Sequence, residues 1–357
     1  MDKYQIDGHK LYWHMDRLIE WQNKKIIPPI YLEISPVSYC NHRCIFCGVD
    51  FAMAKAISID KNIFLKKIQE MGQIGIRSIM YAGEGEPLLH NDLPEFVKAT
   101  KENNIDVSIT TNGTTGNYEI WKEILPFLSW IKFSVDAGTD QIYSKVHRVS
   151  EKLFYKTLES INEAIKVKKD YNLPVTIGIQ YLIIEENIDD IEEAIKLFST
   201  MEISYMVLKP YSLHPQMMEK KYVFYDEEKK KFTQNLVDEY SQKNKLNIIF
   251  RKNTMEKYIE GAKTYSHCYA LPFWGYISSS GDFYTCSVFI GNDKFKAGNI
   301  YEDNMNDIIF GSKRKGSIEY GEKYLIIKDE CRVNCRMARI NEFLEHLSNK
   351  PEHINFI

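Results

Sequence analysis

The run Cys40-Asn41-His42-Arg43-Cys44-Ile45-Phe46-Cys47 holds the residues of this chain whose types and spacing most directly imply chemistry. Thiolates are natural ligands of soft metals, and three of them on one short loop can converge on a single centre. Zinc usually takes its ligands from two paired knuckles, and here the spacing stands alone, with no fourth ligand nearby. Three thiolates instead leave one iron of a four-iron, four-sulfur cube without a protein ligand, which is what a catalytic cluster needs. Zinc, or buried free thiols, are the other readings of the motif.

The chain has 7 Cys, so four lie outside that loop: Cys268, Cys286, Cys331 and Cys335. Four thiols complete the ligand set of a second, closed cluster or of a structural zinc. A fully ligated cluster cannot bind substrate without losing a ligand, so its use would be to take or give an electron.

Both sets need a scaffold. Runs rich in β-branched and aromatic residues recur at Ile30 to Ser35, Ser78 to Ala82, Val107 to Thr111, Trp130 to Val135, Val175 to Ile183 and Tyr205 to Leu208. Between them lie apolar stripes at helical spacing: Phe64, Ile68 and Met71; Leu93, Phe96 and Val97; Leu158, Ile161 and Ile165; Ile188, Ile191 and Ile195. Strands alternating with amphipathic helices predict a parallel sheet with helices outside it, here an incomplete (β/α)6 TIM-like barrel of the α/β class. Asp60 and Asn187 stand where N-caps belong, and Gly72 and Gly75 punctuate the end of the first helix. From Asp226 to Lys245 the sequence turns charged and helix-rich. Ile277 to Ser280, Gly281, and Phe283 to Ser287 then read as a hairpin, and Ile340, Phe343, Leu344 and Leu347 as a last amphipathic helix. The expected organisation is an N-terminal helical extension over 1–29, the partial barrel over 30–225, a helical linker over 226–262 and a small hairpin-and-helix domain over 263–357.

In βα-unit enzymes the site lies at the C-terminal ends of the strands. Those ends carry the first Cys loop, Gly83-Glu84-Gly85-Glu86-Pro87, Thr110-Thr111-Asn112, and Ser134 with Asp136. Gln180 in the fifth strand, and Lys209, Tyr211 and His214 after the sixth, are polar groups suited to line a pocket, with Lys209 and Tyr211 the foremost candidates for a base.

Lys and Arg number 46 against 49 Asp and Glu, a net charge of -3 that gives no reason to expect nucleic acid or a membrane surface as partner. Met1 to Ile27 has no apolar core of the signal-peptide kind, and no stretch approaches the roughly 18 apolar residues of a membrane span. The expectation is a soluble, cytoplasmic protein whose thiols are not disulfides and whose substrate is a small molecule.

The chain resembles the radical S-adenosylmethionine enzymes over roughly Ile30 to Ile340. Their motif is CxxxCxxC with an aromatic residue before the last Cys, the place of Phe46. The resemblance implies that Cys40, Cys44 and Cys47 hold a four-iron, four-sulfur cluster whose open iron is chelated by S-adenosylmethionine. An electron from the cluster then cleaves the cofactor to a 5′-deoxyadenosyl radical that abstracts hydrogen from the substrate. Gly83-Glu84-Gly85-Glu86-Pro87 looks like the family's GGEP segment, with Glu84 in place of the second Gly. The implied cofactor contacts are Phe46, Gly83, Glu84, Gly85, Glu86, Thr111, Asn112, Ser134 and Arg148, the last against the methionyl carboxylate. The layout of the four C-terminal Cys resembles the twitch domain, a shortened SPASM domain with one auxiliary four-iron, four-sulfur cluster, and is similar to that of 2-deoxy-scyllo-inosamine dehydrogenase. The resemblance thus implies an oxidoreductase acting on a carbohydrate- or aminocyclitol-like alcohol, with flavodoxin or ferredoxin as reductant. With all seven thiols as ligands, none is left to return hydrogen to a substrate radical, which favours oxidation to a ketone. A sugar or peptide epimerase, a peptide-modifying enzyme and a non-catalytic iron–sulfur carrier or sensor are the alternatives. Some 29 residues precede the first strand, too few for a leader-binding domain, which favours the small molecule over a peptide.

Overall fold

The computed structural model describes residues 3–53, 55–211, 213–218, 225–243, 246–260 and 263–356. All six expected strands form: Tyr31–Ile34 (β1), Ser78–Tyr81 (β2), Asp106–Thr111 (β3), Leu128–Ser134 (β4), Thr176–Ile183 (β5) and Tyr205–Pro210 (β6), each parallel to the next. Successive side chains on a strand point to opposite faces. One face, with Leu32, Ile34, Ile79, Tyr81, Ile109, Phe133 and Ile179, is buried against Phe64, Ile68, Phe96, Ile161 and Ile195 of the outer helices. The other face, which carries Glu33, Ser108, Lys132, Gln180 and Lys209 among aromatic and aliphatic side chains, lines the interior.

The helix ends follow their sequence signals. Asp60 caps the helix Lys61–Ile74 by accepting from the Ile63 N–H at 2.9 Å, and Gly75 ends it in the left-handed region at φ 87°. Asn187 does not cap. A single 3-10 turn, Ile188–Asp190, intervenes, and its side chain instead donates to the Asp136 and Leu182 carbonyls at 2.8 Å each.

The strands expected as six become eight in parallel register. Ile248–Phe250 (β7) adds to β6, and Trp274–Ile277 (β8) adds to β1 on the opposite edge. Asp282–Tyr284 (β9) and Lys296–Asn299 (β10) continue from β8 in antiparallel fashion, giving the order β10-β9-β8-β1-β2-β3-β4-β5-β6-β7. The stretch read as a helical linker therefore contributes a strand between the helices Glu227–Lys243 and Lys252–Glu260. Its expected end at 262 lies outside the described residues. The hairpin starts three residues earlier than expected, at Trp274, because its first arm is also an edge strand of the barrel. Neither strand has a local signal: β7 has three residues, and Phe273-Trp274-Gly275-Tyr276 is apolar without alternation.

At the starts of β6 and β7 the interior is closed by the N-terminal segment, where Tyr4 and Ile6 pack against Tyr205, Val207 and Ile249. Leu11 and Leu18 pack with Ile27, Ile30, Phe273 and Leu344, joining the N-terminal helix Met15–Gln22 to the last helix, Ala338–Ser348. Arg314, fully buried, donates to the carbonyls of Ile27, Ile309 and Pro272 at 2.8–3.0 Å. Among the described residues no helix is long and apolar enough to cross a membrane.

Loss of the cap in Asp60→Ala is expected to cost about 1 kcal/mol, read as a lower urea midpoint with an unchanged slope.

Candidate cluster and substrate site

The loop from Cys40 to Cys47 is held from both sides. Arg43 and Ile45 donate their backbone N–H groups to the His147 and Val146 carbonyls at 3.1 and 3.0 Å, and the Arg43 guanidinium donates to the Cys40 carbonyl at 2.6 Å. Cys44 Sγ lies 3.0 Å from His147 Nδ1, whose other nitrogen donates to the Val135 carbonyl at 2.7 Å. Burial pushes that imidazole down to about 4, so it is neutral and presents Nδ1 to the thiol. The Phe46 ring stands edge-on to His147 at 5.5 Å. Burial first, then Glu86 and Cys47, push the Cys40 thiol up to about 12. Burial, Cys47 and Cys40 push Cys44 well above its ordinary value. Three thiols that disturb one another in this way hold their protons until a metal centre displaces them.

The loop after β2 packs tightly on this one. A Cβ on Gly85 would lie 2.3 Å from the Tyr39 carbonyl oxygen and 2.6 Å from that of Val37, so only glycine fits. Glu86 is buried, and its carboxylate accepts from Leu88 N at 3.0 Å, Thr111 Oγ1 at 2.6 Å and Asn112 N at 2.7 Å. Asn112 Nδ2 in turn donates to Asn41 Oδ1 at 2.8 Å. Glu84 points away, toward the C-terminal part, where Oε2 accepts from the backbone N–H and the hydroxyl of Ser279. Expected as cofactor contacts, the side chains of Glu84, Glu86 and Thr111 are thus spent on the protein, leaving only their backbone groups to meet a cofactor. Gly83, at φ 121°, turns the chain beneath Tyr276. Ser134 faces the interior, accepting from Gln180 Nε2 at 3.3 Å. Arg148 ends the helix Asp140–His147 in the left-handed region at φ 53°.

The interior face is charged. Arg336, ahead of the last helix, pairs with Glu33, donates to the Tyr31 hydroxyl at 2.9 Å and lies over the Trp274 ring at 5.8 Å. Arg251, after β7, pairs with Asp7 at 3.6 Å. Lys132, at the middle of β4, lies 5.6 Å from the Trp130 ring centre. Burial, then Arg336 and Arg251, push Lys132 down to about 8. Burial, then Lys132 and the same two guanidiniums, hold Lys209 well below the ordinary lysine value. Asp136, fully buried at φ 57°, accepts from Leu182 N at 2.6 Å and is pushed up to about 7 by burial. Tyr211 does not join this set: it is buried in the main apolar core beside Tyr225, and burial pushes its phenol up to about 12, which makes it a poor base. His214 is likewise buried, its ring against Phe51 at 5.1 Å and its Nε2 3.3 Å from the Ser287 carbonyl. Sequence reading missed Lys132, Arg251 and Arg336. Lys132 carried a signal, a charge inside the apolar run Trp130-Ile131-Lys132-Phe133; the two arginines carried none.

Cys268, Cys286, Cys331 and Cys335 share one apolar cluster with Tyr265 and Trp274. Asn341 Nδ2 approaches Cys268 Sγ at 3.8 Å, and Met337 N donates to Cys335 Sγ at 3.4 Å. A hydrogen bond between Cys331 and Cys335 holds the first thiol up and the second down. The Tyr265 hydroxyl is buried beside these thiols with no hydrogen-bond partner. Among the described residues no three such groups gather closely enough to hold a single metal ion. Zinc, at about 2.3 Å from each sulfur, would draw thiolates to about 3.8 Å of one another. Three thiols on the loop after β1 are a donor set that fits a four-iron, four-sulfur cluster.

Residues 34–198 match the Radical SAM superfamily. The chain carries a Radical SAM domain. An S-adenosylmethionine-dependent nucleotide dehydratase of Lacinutrix mariniflava is 29% identical over 136 residues, which are 35% of this chain and 28% of that protein. A probable GTP 3′,8-cyclase of Thermococcus kodakarensis is 30% identical over 162 residues, 42% of this chain and 48% of that protein. The matched stretch therefore spans less than half of either relative. Streptococcus suis SuiB bound to S-adenosylmethionine superposes with a TM-score of 0.66 at 18% identity, covering 86% of this chain and 72% of SuiB. The structure of anSMEcpe with bound AdoMet gives 0.59 at 19%, covering 88% of each chain. Relatives named as enzymes match this same domain, which counts against the electron-carrier and sensor reading. The domain implies a four-iron, four-sulfur cluster and S-adenosylmethionine, and Cys40, Cys44 and Cys47 are the thiols on its loop after β1.

Two outcomes are expected. Glu84→Ala leaves the Ser279 N–H without an acceptor and should destabilise the chain by about 2 kcal/mol, with faster amide exchange around the β8–β9 turn. Asp136 keeps its proton in the folded chain up to about pH 7, whereas the unfolded chain releases it near pH ~4. Its contribution to stability is therefore full below pH ~4 and is lost as pH rises through about 7. Asp136→Asn removes that loss, so the variant should gain on the wild type in urea unfolding as pH rises from about 5 to about 8.

Proposed function

We propose that this chain is a radical S-adenosylmethionine oxidoreductase that converts a carbinol carbon of a small carbohydrate- or aminocyclitol-like substrate to a ketone. One observation carries the reading: the thiols fall into two groups, three on the loop after β1 and four in the apolar cluster around Tyr265, and none lies on the interior faces of the strands. No Cys is left there to hand a hydrogen atom back to a substrate radical, the donor that epimerases commonly use. The four C-terminal thiols fit a twitch-type auxiliary cluster over about 263–357, with flavodoxin or ferredoxin as the external reductant. When bound, the groups supply one-electron chemistry: the first cluster with S-adenosylmethionine a hydrogen-abstracting 5′-deoxyadenosyl radical, the second cluster an electron acceptor.

What remains for the chain itself is to hold the alcohol and take its proton. An alcohol that becomes a ketone loses a hydrogen atom from carbon, a proton from oxygen and one further electron. Lys209 is suited to the proton: it stands on β6 facing the interior, and burial first, then its cationic neighbours, hold its amine well below the ordinary lysine value. Gly83, Gly85, Asn112, Ser134 and Arg148 surround the end of the barrel where the cofactor would lie, and Phe46 orients the Cys loop through His147. The apolar floor of Tyr4 and Ile6 on Tyr205, Val207 and Ile249 favours a compact substrate over a peptide threaded through the interior.

Anaerobic reconstitution should load about eight irons, and replacing Cys268, Cys286, Cys331 and Cys335 together should remove half. Zinc in that half would point to a structural site. With screened sugars and aminocyclitols, 5′-deoxyadenosine should form one for one with a product lighter by two hydrogens. A product of unchanged mass that gains deuterium in heavy water would replace the dehydrogenase with an epimerase. Modification of a peptide in place of a sugar would move the substrate class. Lys209→Met should lower kcat far more than KM while leaving cofactor cleavage intact.

A further inference from the structure

The interior of the barrel does not balance its own charge. Of its cations, Arg336 is paired with Glu33 and Arg251 with Asp7 at 3.6 Å. Lys132 has no carboxylate within ion-pair distance among the described residues and stands 5.6 Å from the centre of the Trp130 ring. Lys209 adds a second amine without such a partner. The one other acid that faces these lysines, Asp136, has an oxygen engaged by Leu182 N and is pushed up to about 7, so it does not offset a full charge. An ammonium in a partly enclosed interior without a counter-ion costs free energy, and an anionic ligand would offset that cost by supplying the missing charge. The depression of both lysines has this origin: burial first, then the surplus of neighbouring cations.

We propose that the substrate carries an anionic group, phosphoryl or carboxylate, which binds against Lys132 between the Arg336 and Arg251 guanidiniums. The inference rests on the interior being the substrate pocket and adds the charge class of the substrate to that reading. The two guanidiniums, already fixed by Glu33 and Asp7, frame the anion, and Lys132 neutralises it through a charge-assisted hydrogen bond. The same anion opposes the cationic part of the depression of the Lys209 amine.

The test uses reconstituted holoenzyme with S-adenosylmethionine, at ionic strength held constant with KCl. Inorganic phosphate, pyrophosphate and acetate are titrated separately, and thermal unfolding and equilibrium binding are recorded. At least one of the three should bind at a single site per chain and raise the unfolding midpoint. Phosphate and pyrophosphate against acetate separates the phosphoryl from the carboxylate source. In Lys132→Met, binding should weaken about tenfold or more, and without anion the variant should unfold at an equal or higher temperature, because an uncompensated buried charge has gone. Equal midpoint shifts in wild type and variant would overturn the proposal, as would no shift with any anion. Loss of S-adenosylmethionine binding in Lys132→Met would assign the lysine to the cofactor and overturn it too. Cofactor cleavage by the wild type is measured in parallel, so a chain that binds anions but never forms 5′-deoxyadenosine fails the proposed reaction without failing the anion site.

Discussion

The site depends on one buried carboxylate. Glu86 lies at the end of β2 with three donors on its oxygens, from Leu88, Thr111 and Asn112, and its own N–H bonded to the Tyr39 carbonyl at 3.0 Å. Burial raises its pKa, and the three donors oppose that rise by favouring the charged form. A carboxylate placed so deeply is tolerable only with its lone pairs filled. The groups that fill them belong to the loops after β2 and β3, and through Asn112 and Asn41 the same network reaches the Cys loop. Three strand ends are therefore locked to one another by the need to satisfy a single side chain. The spacing of the thiols draws on that lock and on the far side, where two backbone bonds, Cys44 on His147, and His42 on the Tyr143 hydroxyl tie the Cys loop to the helix Asp140–His147.

A second constraint acts on the interior, where charges are placed without enough partners. Lys132, Lys209, Arg251 and Arg336 come from β4, β6, the segment after β7 and the segment ahead of the last helix, so the surplus exists only once the barrel has closed around it. Each cation lowers the proton affinity of its neighbours, and burial first, then three of these cations, hold Lys209 well below the ordinary lysine value. The reactivity of that amine is thus a property of the assembled barrel rather than of its own strand.

The distribution of what the sequence revealed follows the range of the interactions. The Cys loop, Asp60 and Gly75 were legible because their roles depend on residues within one turn of chain. The first six strands were legible because β-branched runs of adequate length alternate with helical stripes. The strands β7 and β8 were not, since one is too short to show a period and the other is defined by pairing with β1, more than two hundred residues away. Tyr211 was misplaced for a related reason. The alternation that brings Lys209 inward ends with β6 at Pro210, and the chain then turns so that Tyr258 and Tyr225 hydrogen-bond the Tyr211 backbone and its ring enters the core.

Glu84 shows how a departure from a family pattern acquires a physical reason. A glycine at this place would serve the cofactor end of the barrel equally well, because the Glu84 side chain never faces it. What the carboxylate adds is a bond to Ser279 across 195 residues of sequence, at the turn between β8 and β9. That turn follows directly from the strand that pairs with β1, the strand that leads into the Cys loop. The loop after β2 therefore touches both thiol sets indirectly, through Tyr39 on one side and through the β8–β9 turn and Cys286 just beyond it on the other. Two acidic side chains two residues apart thus tie one loop in two directions, Glu86 to the loop after β3 that reaches the Cys loop and Glu84 to the β8–β9 turn.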